Sequence, residues 1–86
     1  MHIYKTDDFD RMFNKLPSTI QRLFFIKKNI LKENWFDRRL HCKKLKEMNS
    51  AYSFRVTRSY RVLFYFMKNM KGIMLFAVGH RKDIYD

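Results

Sequence analysis

The chain has 86 residues, which allows one compact domain spanning 1–86 with a single core. A hydrophobic content of 47% and an aromatic content of 17% are enough for a folded core and exclude a disordered tail, although 31% of residues are charged. The net charge of +11 is uneven, since residues 1–37 hold seven basic and five acidic residues whereas residues 38–86 hold twelve and three. The C-terminal half is therefore predicted to face a polyanion.

Cysteine content and hydropathy predict the compartment. The single cysteine, Cys42, excludes an internal disulfide and suits a reducing cytoplasm. No apolar run approaches the ~20 residues that a membrane-spanning helix needs. Charged Lys5, Asp7 and Asp8 lie where a signal peptide would keep its apolar segment. These features predict a cytoplasmic protein with no membrane partner.

The N-terminal half is predicted to form a strand and two helices. His2 to Lys5 is a short strand candidate, and Thr6 with the two acids after it offers an N-cap and first-turn charges for a helix. Pro17 ends this helix and begins the next, because proline is tolerated in a first helical turn but disfavours helix in the residue before it. Apolar stripes at helical spacing support both helices: Phe9, Met12, Phe13 and Leu16, then Ile20, Leu23, Phe24, Ile30 and Leu31.

The C-terminal half changes to the period of strands. Residues 34–50 form a basic connection without clear periodicity, partly helical or loop. Tyr52 to Thr57 alternates apolar and polar residues, as a half-buried strand does. Tyr60 to Met67 and Ile73 to Gly79 are apolar on both faces and so belong inside a sheet. Short turns between these segments predict a three-stranded antiparallel meander packed on the helical hairpin, a two-layer α+β fold.

This topology gathers basic side chains at one rim of the sheet. Arg61 begins the middle strand and Arg81 follows the last one, so antiparallel pairing brings the two guanidiniums near each other. Arg55, His80 and Tyr85 can reach the same rim. Guanidinium groups match phosphate oxygens and stabilise charge that develops on them during phosphoryl transfer. The pattern predicts a phosphate site, and the alternative is a solvated basic edge that prevents strand pairing.

The sequence supports metal binding, cysteine catalysis and nucleotide binding less well. His41 and Cys42 are adjacent and lack a chelating spacing, so no metal site is predicted. Cys42 lacks a paired base, because an adjacent histidine normally points away from it. Paired carboxylates are missing, and a chain with two glycines has no glycine-rich phosphate loop. We therefore predict no cofactor.

Four segments form a combined motif: Lys44-Leu45-Lys46, Tyr52 to Val56, Tyr60 to Tyr65 and Val78 to Tyr85. The most specific combination is the Tyr-Arg pair that opens one strand, together with Gly-His-Arg and a tyrosine near the C-terminus. This combination resembles the RelE/ParE superfamily of bacterial toxin-antitoxin toxins. The order of strand, two helices and meander is also that of the superfamily, so the resemblance covers essentially the whole chain.

The resemblance implies a microbial-ribonuclease-like fold and a cognate antitoxin protein as partner. In the RelE branch it also implies an mRNA interferase, an endoribonuclease that cleaves messenger RNA on the ribosome without metal and inhibits translation. The RNA 2′-hydroxyl would attack the adjacent phosphate and leave a 2′,3′-cyclic phosphate and a 5′-hydroxyl. The antitoxin segment of this family is typically acidic and amphipathic. We expect it to cover Phe25, the basic face of the second helix and the sheet rim.

The resemblance also assigns roles to individual residues. The expected catalytic residues are Arg61, His80, Arg81 and Tyr85, and those expected to bind RNA phosphate are Lys44, Lys46, Arg55 and Arg58. The two arginines of the catalytic set match the family's transition-state arginines, and the tyrosine matches its C-terminal catalytic tyrosine. Ser53 and Arg55 stand where RelE-type enzymes carry lysines. Proton transfer is therefore expected to depend on His80 and Tyr85.

Two alternatives to the ribonuclease stay open at this point. ParE-like members share the fold and the Gly-His-Arg-x-Asp-x-Tyr ending but act as protein inhibitors of DNA gyrase. Ser53 and Arg55 favour this alternative, because they replace the RelE lysines. The retained arginines and tyrosine, with the basic residues of 38–46, favour the ribonuclease. An inactive family member is the third possibility.

Overall fold

Residues 1–84, apart from the side chain of Met70, are described by a computed structural model. The helices and strands are β1 (His2–Lys5), α1 (Asp7–Asn14), α2 (Ser18–Glu33), β2 (Lys43–Lys44), β3 (Ala51–Arg55), β4 (Tyr60–Phe66), β5 (Gly72–His80) and α3 (Arg81–Ile84). Single 3₁₀ turns lie at Arg38–Leu40 and Lys68–Met70. No helix in the described part of the chain is long and apolar enough to span a membrane.

The strands form one five-stranded sheet with the order β1-β5-β4-β3-β2. β3, β4 and β5 make the predicted antiparallel meander, and β1 pairs with β5 in parallel. The predicted two-layer α+β fold is thereby confirmed. The sequence did not predict β2, a strand of two residues at the edge of the sheet inside the basic connection. An element this short has too few residues to show a period of two.

Local hydrogen bonds explain where the two helices begin and how they turn. The Thr6 hydroxyl accepts a hydrogen bond from the Phe9 backbone N–H at 3.1 Å, which caps α1 as predicted. Pro17 precedes α2, and its carbonyl accepts the backbone N–H groups of Ile20 and Gln21. The Gln21 side-chain amide donates to the Phe13 carbonyl at 3.0 Å and so links the two helices at their corner.

The two faces of the sheet have different cores. The helix face carries the main core with α1 and α2, whose buried members include Phe9, Phe24, Leu31, Phe54, Val62, Phe64, Ile73, Leu75 and Val78. On the opposite face, which we call the open face, a smaller cluster consists of Leu45, Ala51, Leu63 and Ala77, with Phe76 and Ile84 packed against it. The helices therefore leave much of the open face uncovered, and this is the face that carries the site described below.

A substitution in the helix-face core should measure how much stability this layer provides. Leu31 is only 1% exposed, so Leu31→Ala is expected to lower the free energy of unfolding by about 2 to 5 kcal/mol through lost burial and a cavity. Ile26 on the same helix is 55% exposed, and Ile26→Ala should cost less than about 1 kcal/mol. Urea unfolding of both variants measures the difference. Equal losses would contradict this assignment of the core.

Candidate active site

Arg55, Arg61 and Gly79 lie side by side on three neighbouring strands. Arg61 in β4 is the register partner of Arg55 in β3 and of Gly79 in β5. Register partners point to the same face of a sheet. That face is the open face, because Leu63 lies two residues beyond Arg61 and packs in the open-face cluster. We call these three residues the arginine row.

Arg61 is buried and Arg55 is half-buried, and neither guanidinium has a full set of hydrogen-bond partners. Arg61 is only 7% exposed, and its Nη2 donates to the Arg58 carbonyl at 3.4 Å. The Nε atoms of Arg61 and Arg55 are buried and have no hydrogen-bond partner among the described residues. An unsatisfied buried donor costs about 1 to 3 kcal/mol, and like charges directly opposite each other on two strands repel. An anion at the row reduces the repulsion between the two guanidiniums and supplies acceptor oxygens, so this geometry suits a phosphate.

Gly79 leaves open space beside Arg61. A Cβ atom built at Gly79 would meet no atom within 4 Å. The glycine does not have a positive φ, so its backbone conformation does not demand glycine. What the missing side chain provides is room on the open face next to the buried guanidinium.

Arg81 starts α3 at the same end of the sheet. Its backbone N–H donates to the Ser59 carbonyl at 2.7 Å and extends the pairing of β4 with β5 beyond the end of the strand. The helix then folds toward the open face, since Ile84 packs against the open-face cluster. The fold therefore brings Arg81, with its exposed side chain, to the same rim as Arg55 and Arg61.

His80 lies at this rim but on the helix face. Its register partner is Tyr60, and the two rings meet edge to face with centroids 5.4 Å apart. His80 also lines a surface pocket with Met12 and Leu16 of the first helical corner. Its Nδ1 accepts a hydrogen bond from the Lys82 backbone N–H at 3.1 Å, which leaves the proton of the neutral ring on Nε2. The expected convergence of this ring with the arginines is not found, because neighbouring residues of a strand point to opposite faces.

The lysines of β2 divide between the two faces. Lys43 is the register partner of Ser53, whose hydroxyl is fully buried on the open face without a partner in the described part of the chain. Lys44 pairs with Tyr52, which packs against the helix-face core. Lys43 therefore shares a face with the arginine row, and Lys44 does not. The sequence prediction did not include Lys43. Its position two residues before the apolar Leu45 was the signal that the two residues share a face of the sheet.

The remaining predicted residues lie in three different surroundings. Arg58 is exposed on the turn between β3 and β4, and its carbonyl accepts the hydrogen bond from Arg61 in the row. Lys46 is exposed in the connection from β2 to β3, at the end of β3 away from Arg55. Tyr85 lies outside the described residues.

Neither an activated cysteine nor a metal-binding cluster is found in residues 1–84. Burial raises the pKa of the Cys42 thiol to about 11, so the thiol stays protonated near neutral pH and is a weak nucleophile. Cys42 packs against the helix-face core. No group of three or more His, Cys, Asp and Glu side chains within residues 1–84 is arranged to hold a metal ion.

Comparisons with known proteins identify the fold. No protein-family model and no curated protein matches the chain. Among solved structures, the RelE-RelB complex from Pyrococcus horikoshii OT3 is similar, with a TM-score of 0.76 and 19% identity over 95% of this chain and 96% of that one. The YoeB/ParE toxin from Agrobacterium tumefaciens has a TM-score of 0.78 and 13% identity over 94% and 99%. The toxin-antitoxin complex RelBE2 from Mycobacterium tuberculosis has a TM-score of 0.76 and 23% identity over 93% and 96%. The chain therefore has the fold of the RelE and YoeB/ParE toxins, as the sequence resemblance predicted.

Proposed function

We propose that the chain is the toxin of a toxin-antitoxin module and acts as an endoribonuclease that cleaves messenger RNA on the ribosome. The observation that carries this proposal is a pair of arginines on neighbouring strands, buried Arg61 and half-buried Arg55, whose buried Nε atoms have no hydrogen-bond partner in residues 1–84. Arg61 is the register partner of Gly79, where an added Cβ atom would meet no atom within 4 Å. The fold that the chain shares with RelE toxins supports the same conclusion.

The proposed reaction needs no group beyond the RNA and the protein. The RNA 2′-hydroxyl attacks the adjacent phosphorus, the bond from phosphorus to the 5′ oxygen breaks, and the products carry a 2′,3′-cyclic phosphate and a 5′-hydroxyl. Negative charge accumulates on the non-bridging phosphate oxygens in the transition state. Arg55 and Arg61 donate to these oxygens, and because they are held in the sheet, little reorganisation is needed as the charge develops. Arg81 adds a third cation from the rim.

The proton transfers of this reaction need a base for the 2′-hydroxyl and an acid for the departing 5′ oxygen. We assign one of these roles to Tyr85, and the other to Lys43, which is the register partner of Ser53 on the open face. His80 has its Nδ1 engaged by the Lys82 N–H. We therefore assign His80 the role of holding α3, the segment that leads to Tyr85, against the end of β5.

An acidic, amphipathic antitoxin segment is the proposed protein partner. The surface of α2 offers the matching features, with Phe25 53% exposed and Ile26 55% exposed. Lys28 and Lys32 on the same helix supply positive charge. Several of the similar solved structures are themselves toxin-antitoxin complexes. An amphipathic helix that lays its apolar face on such a surface is a common recognition mode.

Assays with purified components distinguish the proposed ribonuclease from its two alternatives, a gyrase inhibitor and an inactive family member. We expect the wild-type chain to cleave ribosome-bound messenger RNA and to leave DNA gyrase supercoiling unaffected, because the adjacent guanidiniums of Arg55 and Arg61 suit a phosphate. The Arg61→Ala/Arg81→Ala variant should lose the cleavage. Gyrase inhibition without cleavage would overturn the proposal in favour of a ParE-like inhibitor. Absence of both activities would identify an inactive member.

A further inference from the structure

A second group of cations adjoins the arginine row where the end of β3 meets α2. A surface cleft there, which we call the basic cleft, is lined by Lys27, Arg39, His41, Arg55, Val56, Thr57 and Arg58. We propose that the basic cleft binds a backbone phosphate of the RNA next to the phosphate that is cleaved. This inference rests on the proposed ribonuclease function and adds a substrate subsite to it.

The basic cleft and the arginine row are continuous. Arg55 belongs to both, since it lines the cleft and is the register partner of Arg61. Arg58 also lines the cleft, and its carbonyl accepts the hydrogen bond from Arg61. An RNA strand whose phosphate lies on the row therefore runs into the cleft with its neighbouring phosphate.

The cleft has a large excess of positive charge. Asp37 is the acid nearest to it in the chain, and this carboxylate is engaged by Arg39, whose Nε and Nη2 donate at 3.0 and 2.9 Å. Lys27, Arg55 and Arg58 take part in no salt bridge within residues 1–84. Cations held together without acids repel one another and focus a field that attracts a polyanion.

The walls of the cleft are fixed by hydrogen bonds. The Thr57 hydroxyl accepts the backbone N–H groups of Ser59 and Tyr60, each at 3.2 Å, which holds the turn that carries Arg58. On the other wall, the Lys27 ammonium donates to the Arg39 carbonyl at 3.2 Å and ties α2 to the 3₁₀ turn. The site is therefore organised before a ligand arrives, which reduces the ordering cost of binding.

The chemistry of the lining favours a phosphate backbone over an acidic peptide. Val56 is the one apolar residue among the seven that line the cleft, so it offers no anchor for the hydrophobic side of an amphipathic helix. Guanidinium forks, by contrast, match the geometry of phosphate oxygens. Contacts of this kind bind RNA without reading its sequence.

Binding of a short RNA with 2′-O-methyl riboses, which cannot be cleaved, tests the subsite. We expect Lys27→Gln/Arg58→Gln in the full chain to weaken binding of this RNA about tenfold at low salt. The double variant should also reduce the slope of log affinity against log salt by about two. Arg58→Gln alone should reduce this slope by about one. Lys71→Gln removes one positive charge, as Arg58→Gln does, but from the hairpin at the other end of β4, and it should leave the slope unchanged. In ribosome cleavage the double variant should raise KM and leave kcat near the wild-type value.

The outcomes distinguish the subsite from the activity. If the double variant binds RNA like Lys71→Gln while the wild-type chain still cleaves messenger RNA, the subsite is overturned and the ribonuclease stands. The subsite is equally overturned if polyglutamate binding, and not RNA binding, depends on Lys27 and Arg58. If the wild-type chain neither binds nor cleaves RNA, the proposed function and the subsite both fall.

Discussion

Replacement of Arg61 by alanine is expected to slow cleavage of ribosome-bound messenger RNA by about 100-fold or more. Arg61 is 7% exposed and lies in the middle of the arginine row, so no other side chain in residues 1–84 occupies its position opposite Gly79. Single-turnover cleavage rates measure the effect. Arg22→Ala removes the same charge from an exposed position on α2 and should change the rate by less than about twofold.

The same position should show that the row is maintained for activity at a cost in stability. Arg61 keeps a buried charge with an unsatisfied Nε, so Arg61→Leu is expected to keep or raise the free energy of unfolding while it abolishes cleavage. Urea unfolding measures the first effect and the cleavage assay measures the second. A variant that loses activity only because it unfolds, or one that cleaves at the wild-type rate, would contradict the role assigned to Arg61.

A side chain at position 79 is expected to block the site without harming the fold. A Cβ atom there meets no atom within 4 Å, so Gly79→Val should change the free energy of unfolding by less than about 1 kcal/mol. The added methyl groups occupy the space beside Arg61, and displacement of the substrate by about 1 Å is enough to slow cleavage by about 100-fold. Gly79→Ala should have a smaller effect in the same direction.

Cleavage rates and thermal unfolding of the two variants test this prediction together. Unchanged activity in Gly79→Val would show that the substrate does not use the open face beside Arg61. Loss of activity accompanied by a large drop in melting temperature would show that the glycine is needed for folding. Either result would remove Gly79 from the proposed site.

Strand periodicity predicted the central part of the site. The alternation in β3 and the short turn after Arg55 set Arg55 opposite Arg61, and the separate pairing of β4 with β5 sets Arg61 opposite Gly79. Because the period of a strand is two, the residue after Gly79 points to the other face. The sequence prediction grouped His80 with the arginines by its distance along the chain and did not apply this alternation.

Short elements set the limit of what could be predicted. α3 has four residues, too few for a helical stripe, and it directs the chain after His80 toward the open face. β2 has two residues, and only its pairing with β3 separates Lys43 on the open face from Lys44 on the helix face. In both cases tertiary contacts decide the direction of functional side chains, and no local sequence pattern reports such contacts.

The chemical identity of the RNA ends tests the central claim most directly. If Arg55, Arg61 and Arg81 stabilise attack by the 2′-hydroxyl, cleavage of ribosome-bound messenger RNA by the wild-type chain gives a 2′,3′-cyclic phosphate on the upstream product and a 5′-hydroxyl on the downstream product. Mass spectrometry of the two products distinguishes these ends from a 3′-hydroxyl and a 5′-phosphate. A 3′-hydroxyl with a 5′-phosphate, or intact messenger RNA, would contradict the proposed ribonuclease.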